Sequence, residues 1–93
     1  MKRQVFQSPL FERKKKRLTK AEIAALDREV ERVSKEPAIG EIKRGDLAGV
    51  HVHKFKVGER LFLLAYEFDN NEIFLLTVGL HENFYRDLKR YLS

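Results

Sequence analysis

Residues 60–88 read RLFLLAYEFDNNEIFLLTVGLHENFYRDL, and this stretch decides the fold. It holds two apolar runs, 61–66 and 73–78, of the kind expected for central strands that are buried on both faces. Between them lies Asp-Asn-Asn-Glu at 69–72, where Asn tolerates the positive φ that tight hairpin turns require. The stretch therefore predicts two neighbouring antiparallel strands in the middle of a sheet.

The same stretch ends in a helix that opens with a histidine. Gly79 breaks the second strand, His81 follows, and Tyr85 lies four residues later. Positions i and i+4 share one face of a helix, so the two side chains are predicted to approach the same point. The stripe that packs this helix is assigned to Phe84, Leu88 and Leu92.

A third strand precedes this hairpin at 50–57, but its apolar pattern is irregular. Val50 and Val52 have the opposite parity to Phe55 and Val57. One explanation is a β-bulge near the middle of the strand, a feature that often lies beside active sites. The other is a regular strand that is buried on both faces at different points. A bulge would bring several basic side chains onto one face, namely His51, His53 or Lys54, and Lys56.

The N-terminal third predicts a short strand at 3–7 and a helical hairpin. Ser8-Pro9 is a favourable helix start, and the first helix is expected to end at about Arg17. Residues 19–22, Thr-Lys-Ala-Glu, form a capping box for a second helix that ends before Pro37. Residues 38–49 are predicted to be a loop. The apolar stripe of the second helix consists of Ile23, Leu26, Val30 and Val33.

Composition narrows the possible classes of protein. The 93 residues include no cysteine, which excludes disulfides, thiolate catalysis and cysteine-ligated zinc. No apolar run approaches the roughly 18 residues of a transmembrane helix, so we expect a cytoplasmic protein without a membrane partner. Residues 1–20 hold eight Lys or Arg against one Glu, a net charge of +7. Such a block predicts an anionic partner, either nucleic acid or an acidic protein segment.

These elements predict an α+β fold in one domain over residues 1–93. An N-terminal strand and a helical hairpin pack on a small, mainly antiparallel sheet, and a short C-terminal helix follows. The order of elements, together with KRGDLAGV at 43–50 and GLHENFYRDL at 79–88, resembles the RelE/ParE superfamily of bacterial toxins. These proteins are the toxin halves of type II toxin–antitoxin pairs, and the resemblance covers nearly the whole chain.

The resemblance implies an activity and a site. In RelE-like branches the toxin cuts messenger RNA, usually on the ribosome, with basic residues on the sheet and a residue near the C-terminus. In the histidine-containing, YafQ-like branch, a Gly-Thr-His step supplies a catalytic histidine, and residues 79–81 match this step. His81 is thus the implied catalytic histidine, and Phe84 or Tyr85 falls at the aromatic position. The ParE branch instead poisons DNA gyrase and lacks such a nuclease site.

Metal-free RNA cleavage has chemical requirements that this sequence can meet without a cofactor or metal. A base must take the 2′-hydroxyl proton, an acid must protonate the leaving 5′-oxygen, and cations must stabilise the phosphorane. Histidine titrates near neutral pH and suits either proton transfer. The candidate catalytic residues are His81, Tyr85, His53 and His51. The candidate phosphate-binding residues are Lys54, Lys56, Arg60, Lys43 and Arg44.

Each assignment has a structural alternative. His81 can cap the last helix, His51 and His53 can be ordinary strand residues, and the lysines can form a solvated face. Two other functions also remain open at this stage, a gyrase-binding toxin without nuclease activity and a non-catalytic basic interaction module. The expected partners of the leading hypothesis are a cognate acidic antitoxin and messenger RNA with the ribosome. DNA is expected to be contacted only through the antitoxin.

Overall fold

The computed structural model describes residues 2–93, in which three α-helices flank a five-stranded sheet. The strand order is β1-β5-β4-β3-β2, where β1 and β5 are parallel and the other neighbours are antiparallel. The predicted α+β fold with a mainly antiparallel sheet is confirmed. The strands are β1 (Gln4–Gln7), β2 (Glu41–Ile42), β3 (His51–Val57), β4 (Arg60–Phe68) and β5 (Glu72–Leu80); the helices are α1 (Pro9–Lys16), α2 (Lys20–Lys35) and α3 (His81–Leu92).

Both N-terminal helices start as their capping residues predict. The Ser8 hydroxyl accepts a hydrogen bond from the Phe11 amide at 2.9 Å, while Pro9 occupies the first turn of α1. Thr19 accepts from the Glu22 amide, and the Glu22 carboxylate accepts from the Thr19 amide, so the capping box of α2 is complete. These caps fix the hairpin that packs on one face of the sheet.

The buried stripe of α2 differs in part from the predicted one. Leu26 and Val33 are fully buried in the core, whereas Ile23 and Val30 are only partly buried. Ala25 and Glu22 take their places on the buried side. The buried side of the helix is therefore turned toward these two residues, and the Glu22 carboxylate on this side accepts a hydrogen bond from Arg60 of β4.

The β-bulge predicted near His53 is wrong. The pairing of β3 with β4 runs without interruption from His51 opposite Tyr66 to Val57 opposite Arg60. Strand β3 is instead a regular strand that is buried on both faces. The register shift of the sheet lies between β4 and β5, at Ala65 and Tyr66, where Leu76 has no partner on β4.

Strand alternation assigns the side chains of β3 to two different cores. Phe55 packs with residues of α1 and α2, and His51, His53 and Val57 share its side of the sheet. Val52 packs with residues of α3, so Lys54 and Lys56 share that opposite side. We call these the α2 face and the α3 face.

The predicted loop at 38–49 contains more structure than expected. It includes strand β2, which pairs with β3, and two 3-10 turns at Pro37–Ile39 and Gly45–Leu47. The buried Tyr66 hydroxyl accepts from the Gly40 amide at 3.0 Å and donates to the Pro37 carbonyl at 2.5 Å. This pair of bonds fixes the segment to the sheet.

The turn between β4 and β5 is also built differently from the prediction. Within residues 2–93, positive φ occurs only at glycines, so the asparagines of this turn do not supply it. The Asp69 carboxylate instead accepts hydrogen bonds from the Asn71 and Glu72 amides, each at 2.8 Å. These bonds lower the pKa of Asp69.

Helix α3 buries Phe84 and Leu88 against the sheet, as its apolar spacing predicts. Leu92 is exposed, because it lies at the last turn of the helix beyond the packed surface. No helix among residues 2–93 has both the length and the apolar character that crossing a membrane requires.

Candidate functional site

Part of the α3 face remains open to solvent and is basic. Val52 and Leu63 are covered by α3, whereas Lys54 and Lys56 lie beyond its cover and are exposed. Within residues 2–93 neither lysine forms an ion pair. Their two charges are therefore available to an anionic ligand.

The sheet register connects these lysines to the start of α3. Lys56 pairs with Leu61 on β4, and Leu61 lines the same shallow cleft as His81. His81 directly follows the last β5 residue that pairs with β4, so Leu61 lies between Lys56 and His81. Two strand spacings separate the backbone positions of Lys56 and His81, about 10 Å.

The neighbouring set of paired residues across β3, β4 and β5 includes a glycine, which leaves space on the sheet. Lys54 pairs with Leu63, which in turn pairs with Gly79 on β5. A Cβ atom at Gly79 would have no neighbouring atom within 4 Å. Gly79 therefore leaves open space inside β5, two residues before His81, and does not end the strand as predicted.

His81 and Tyr85 approach each other as the i, i+4 spacing predicts. Their ring centroids are 6.2 Å apart in an edge-on arrangement, and Tyr85 also meets Phe84 at 5.2 Å. His81 is exposed and Tyr85 is partly buried against the core under α3. An exposed imidazole beside a phenol, on a sheet that also presents two exposed lysines, supplies the kinds of group that binding and cleavage of a phosphodiester require.

Lys43 adds a third cation to this region, but in a different state. Its ammonium lies 5.3 Å from the centroid of the Tyr85 ring and 2.5 Å from Oε1 of Glu41. The bond to Glu41, and next the Tyr85 phenol, raise the pKa of Lys43. The same bond lowers the pKa of Glu41. Lys43 is therefore a paired cation, unlike Lys54 and Lys56.

The first turn of α3 faces this region without a capping side chain. Leu80 is the N-cap residue and provides no side-chain hydrogen bond, which leaves amides of the first turn uncapped. The positive end of the helix dipole therefore adds to the potential near His81, although Glu82 in the first turn reduces it.

The structure does not bring His51 and His53 to this site. The prediction that a bulge places them on the same face as the lysines is wrong, because β3 alternates regularly and both histidines lie on the α2 face. Nε2 of His53 lies 2.6 Å from Oε1 of Glu29 on α2. His51 lies against Tyr66 and Phe68 with its Nδ1 buried and without a hydrogen-bond partner, and burial lowers its pKa.

The two remaining arginine candidates occupy different positions. Arg60 lines the cleft beside His81, but its guanidinium bonds the Glu22 carboxylate on α2 at 2.6 Å and lies over the Phe62 ring. Arg60 is therefore a paired cation, like Lys43. Arg44 is exposed in the loop after β2, where it precedes the 3-10 turn at Gly45–Leu47.

Sequence reasoning missed three carboxylates that hold basic candidates in place. Glu41, Glu29 and Glu22 lie 2.5 to 2.6 Å from Lys43, His53 and Arg60, respectively. The Glu41-x-Lys43 spacing was a usable signal, since residues two apart in a strand share one face. The other two pairs connect α2 to the sheet across long stretches of sequence and left no local signal. Across residues 2–93 no three His, Asp or Glu side chains come together as a metal site requires.

The helical hairpin, the five-stranded sheet and the basic face beside α3 together define a small α+β domain. The protein-family model for the ParE-like toxin of type II bacterial toxin–antitoxin systems matches residues 5–89 of this chain. The chain therefore belongs to this family, as its resemblance to RelE/ParE toxins predicts. A search of curated protein sequences finds no match.

Solved structures of RelE toxins share the fold. The chain is similar to a RelE double mutant from E. coli in the free state, with a TM-score of 0.77, 15% identity, and coverage of 99% of this chain and 95% of that one. For the RelBE2 toxin–antitoxin complex from Mycobacterium tuberculosis the TM-score is 0.76 with 21% identity, covering 87% and 100%. For the intact RelBE complex from E. coli the values are 0.69 and 18%, covering 86% and 98%.

Proposed function

We propose that this toxin is a metal-independent endoribonuclease that cleaves messenger RNA and thereby inhibits translation. The observation that carries the proposal is the row formed by Lys56, Leu61 and His81, with Tyr85 against the histidine. It combines free cations, a titratable ring and a positioned aromatic side chain on one open face. The likeness to RelE structures supports a shared scaffold.

In the proposed reaction the 2′-oxygen of one nucleotide attacks the adjacent phosphorus, and the bond from phosphorus to the 5′-oxygen breaks. The 2′-hydroxyl loses its proton to a base, the 5′-oxygen gains a proton from an acid, and a 2′,3′-cyclic phosphate remains. His81 performs one of these two transfers, as acid or as base. Lys54 and Lys56 stabilise the negative charge that builds up on the phosphorane.

Tyr85 orients the RNA rather than intercalating between two bases. The Lys43 ammonium lies over the Tyr85 ring, and His81 and Phe84 meet it edge-on. The remaining exposed part of the phenol can contact a sugar or one unstacked base, as aromatic side chains do in recognition of single-stranded RNA.

We also propose a cognate acidic antitoxin as the partner, as in the RelBE2 and RelBE complexes. A basic groove between α1 and α3 fits such a partner. Its volume is about 300 Å³, and it combines apolar contact with several positive charges. An acidic segment that is disordered when free can fold into it, guided by charge. The groove is lined by Leu10, Arg13, Lys14, Arg17, Asp87, Arg90 and Tyr91.

Inhibition of DNA gyrase is the second candidate function, favoured by the ParE-like family match. One experiment separates the two functions. The toxin is induced in cells without its antitoxin, RNA 5′ ends are mapped, and DNA supercoiling by purified gyrase is measured with the purified toxin. We expect new 5′-hydroxyl ends in messenger RNA and unchanged supercoiling. Intact RNA together with inhibited gyrase would overturn the nuclease proposal.

A further inference from the structure

Among the three lysines of the α3 face, Lys43 is the one that does not offer a free charge. Its side chain is 20% exposed, and its ammonium is held by the Glu41 carboxylate at 2.5 Å. Lys54 and Lys56 are exposed and form no ion pair within residues 2–93. We therefore expect a phosphate to bind Lys54 or Lys56 rather than Lys43, because binding to Lys43 would require it to displace Glu41.

The position of Lys43 is fixed by its backbone as well. Its amide donates to the Val50 carbonyl at 2.8 Å, which extends the pairing of β2 with β3 by one step. The side chain then spans from this edge to α3 and places its ammonium 5.3 Å from the centroid of the Tyr85 ring. A cation over an aromatic ring is attracted by the ring quadrupole, so the lysine restrains the phenol.

Tyr85 needs such a restraint because α3 leaves it at the margin of the core. The ring is only partly buried, and its other aromatic contacts are edge-on, with Phe84 and His81. The Lys43 ammonium is a third, charged contact of this ring, and we expect it to limit motion of the phenol.

We infer that Lys43 is a positioning residue of the proposed RNA site: it acts through Tyr85, whose ring it holds beside His81, while Glu41 fixes the lysine in turn. This inference rests on the proposed function, and it assigns to Lys43 a role different from direct phosphate binding. The carboxylate, the ammonium, the phenol and the imidazole form one continuous chain of contacts from β2 to α3.

The test compares Lys43→Met with Lys54→Met as the matched control, using single-turnover cleavage of a short RNA and RNA binding at several salt concentrations. Lys43→Met is expected to lower the cleavage rate at saturating RNA about 10- to 100-fold, the scale of a misplaced active-site group. Affinity and its salt dependence should stay at the parental values. Lys43→Arg should restore most of the rate, because arginine also binds aromatic faces.

The control variant should change RNA binding, the property that Lys43→Met is expected to leave unchanged. Lys54→Met is expected to weaken RNA binding and reduce the salt slope by about 0.7, the value for one lost contact to single-stranded nucleic acid. If Lys43→Met shows this same pattern with an unchanged rate at saturating RNA, the lysine binds phosphate directly and the inference is wrong.

A double-mutant cycle provides a second test of the inference. In a Tyr85→Leu background, Lys43→Met should cause no further loss, and a full additional loss would overturn the inference.

NMR of the Lys43 side chain provides a measurement that needs no activity. The ε-methylene protons should resonate upfield because of the Tyr85 ring current, and Tyr85→Leu should remove this shift. Glu41→Gln should reduce it, since the lysine loses its carboxylate partner. If neither substitution changes the chemical shift of these protons, the inference is wrong even if the toxin cleaves RNA.

A toxin that leaves RNA intact would overturn the proposed function. The proton shifts would still show whether Glu41, Lys43 and Tyr85 are in contact.

Discussion

Nε2 of His53 lies 2.6 Å from Oε1 of Glu29, and this pair connects β3 to α2 on the face of the sheet opposite to Lys54. The side chains of both partners are mostly buried, with 10% and 17% exposure. A histidine held in this way stabilises the packing of a helix on a sheet. The geometry therefore favours a structural role for His53 over a catalytic one.

His53→Ala should lower the free energy of unfolding by about 0.5–1.5 kcal/mol, the net contribution of one hydrogen bond, because Arg32 still donates to Oε1 of Glu29 at 3.0 Å. Denaturant titration provides the measurement. The double change His53→Leu with Glu29→Leu should cost less than the single change, because it removes the mostly buried carboxylate, which keeps only Arg32 as its partner in the single variant. Cleavage per folded molecule should stay at the parental value. If His53→Ala folds but does not cleave RNA, a purely structural role is wrong and His53 is again a candidate catalytic residue.

Leu26→Ala should destabilise the protein by roughly 2–5 kcal/mol, because Leu26 is fully buried between α2 and the sheet. Ile23→Ala on the same helix is the matched control. Ile23 is only partly buried, so its replacement should cost clearly less. Equal losses in denaturant unfolding would show that α2 packs with its predicted stripe rather than in the rotated position described above.

Replacing both Lys54 and Lys56 by Glu should weaken RNA binding and reduce its salt dependence, since each phosphate contact releases counterions. The fold should persist, because both side chains are exposed. Lys35→Glu, at the end of α2, is the control and should leave RNA binding almost unchanged. An unaltered salt slope in the double variant would assign Lys54 and Lys56 to a purely solvated surface.

His81→Ala should reduce RNA cleavage by about 10²- to 10⁴-fold, the contribution of a positioned acid or base. The protein should stay folded because His81 is exposed, and antitoxin binding should persist. His81→Gln keeps a hydrogen-bonding group that cannot titrate, so it should lose activity on the same scale. Parental cleavage rates in both variants would rule out proton transfer by this histidine.

The stability of the protein should fall as the pH drops through the ordinary histidine pKa of 6.5. Burial lowers the pKa of His51 in the folded state, so the unfolded chain takes up the proton first. Stability is lost from about pH 6.5 down to the folded pKa, with a slope of at most about 1.4 kcal/mol per pH unit for one proton. In His51→Phe this part of the slope should disappear. Equal slopes for parent and variant between pH 7.5 and pH 5 would contradict this prediction.

The elements that the sequence predicted well carry their signals locally. The caps at Ser8 and Thr19 and the long apolar runs of β4 and β5 depend on neighbouring residues, and all appear at the expected places. The contact of His81 with Tyr85 also follows from spacing within one helix.

The features that the sequence did not predict depend on contacts between distant segments. The irregular apolar pattern of β3 has two local explanations, a bulge or burial on both faces. Only the placement of α2 and α3 on opposite sides of the strand decides between them. The pairing of Glu29 with His53 and of Glu22 with Arg60 depends on the rotation of α2, which its own apolar residues did not specify. Strand β2 was missed because two residues carry too little periodicity.

Gly79 makes the site accessible to chemical labelling. The sequence contains no cysteine, so Gly79→Cys would introduce the only thiol of the 93-residue chain. A side chain at this position starts in open space, in the row that contains Lys54 and two residues before His81. A photoactivatable crosslinker or a spin label attached there would report, without removing any candidate residue, which molecules in the cell approach this face.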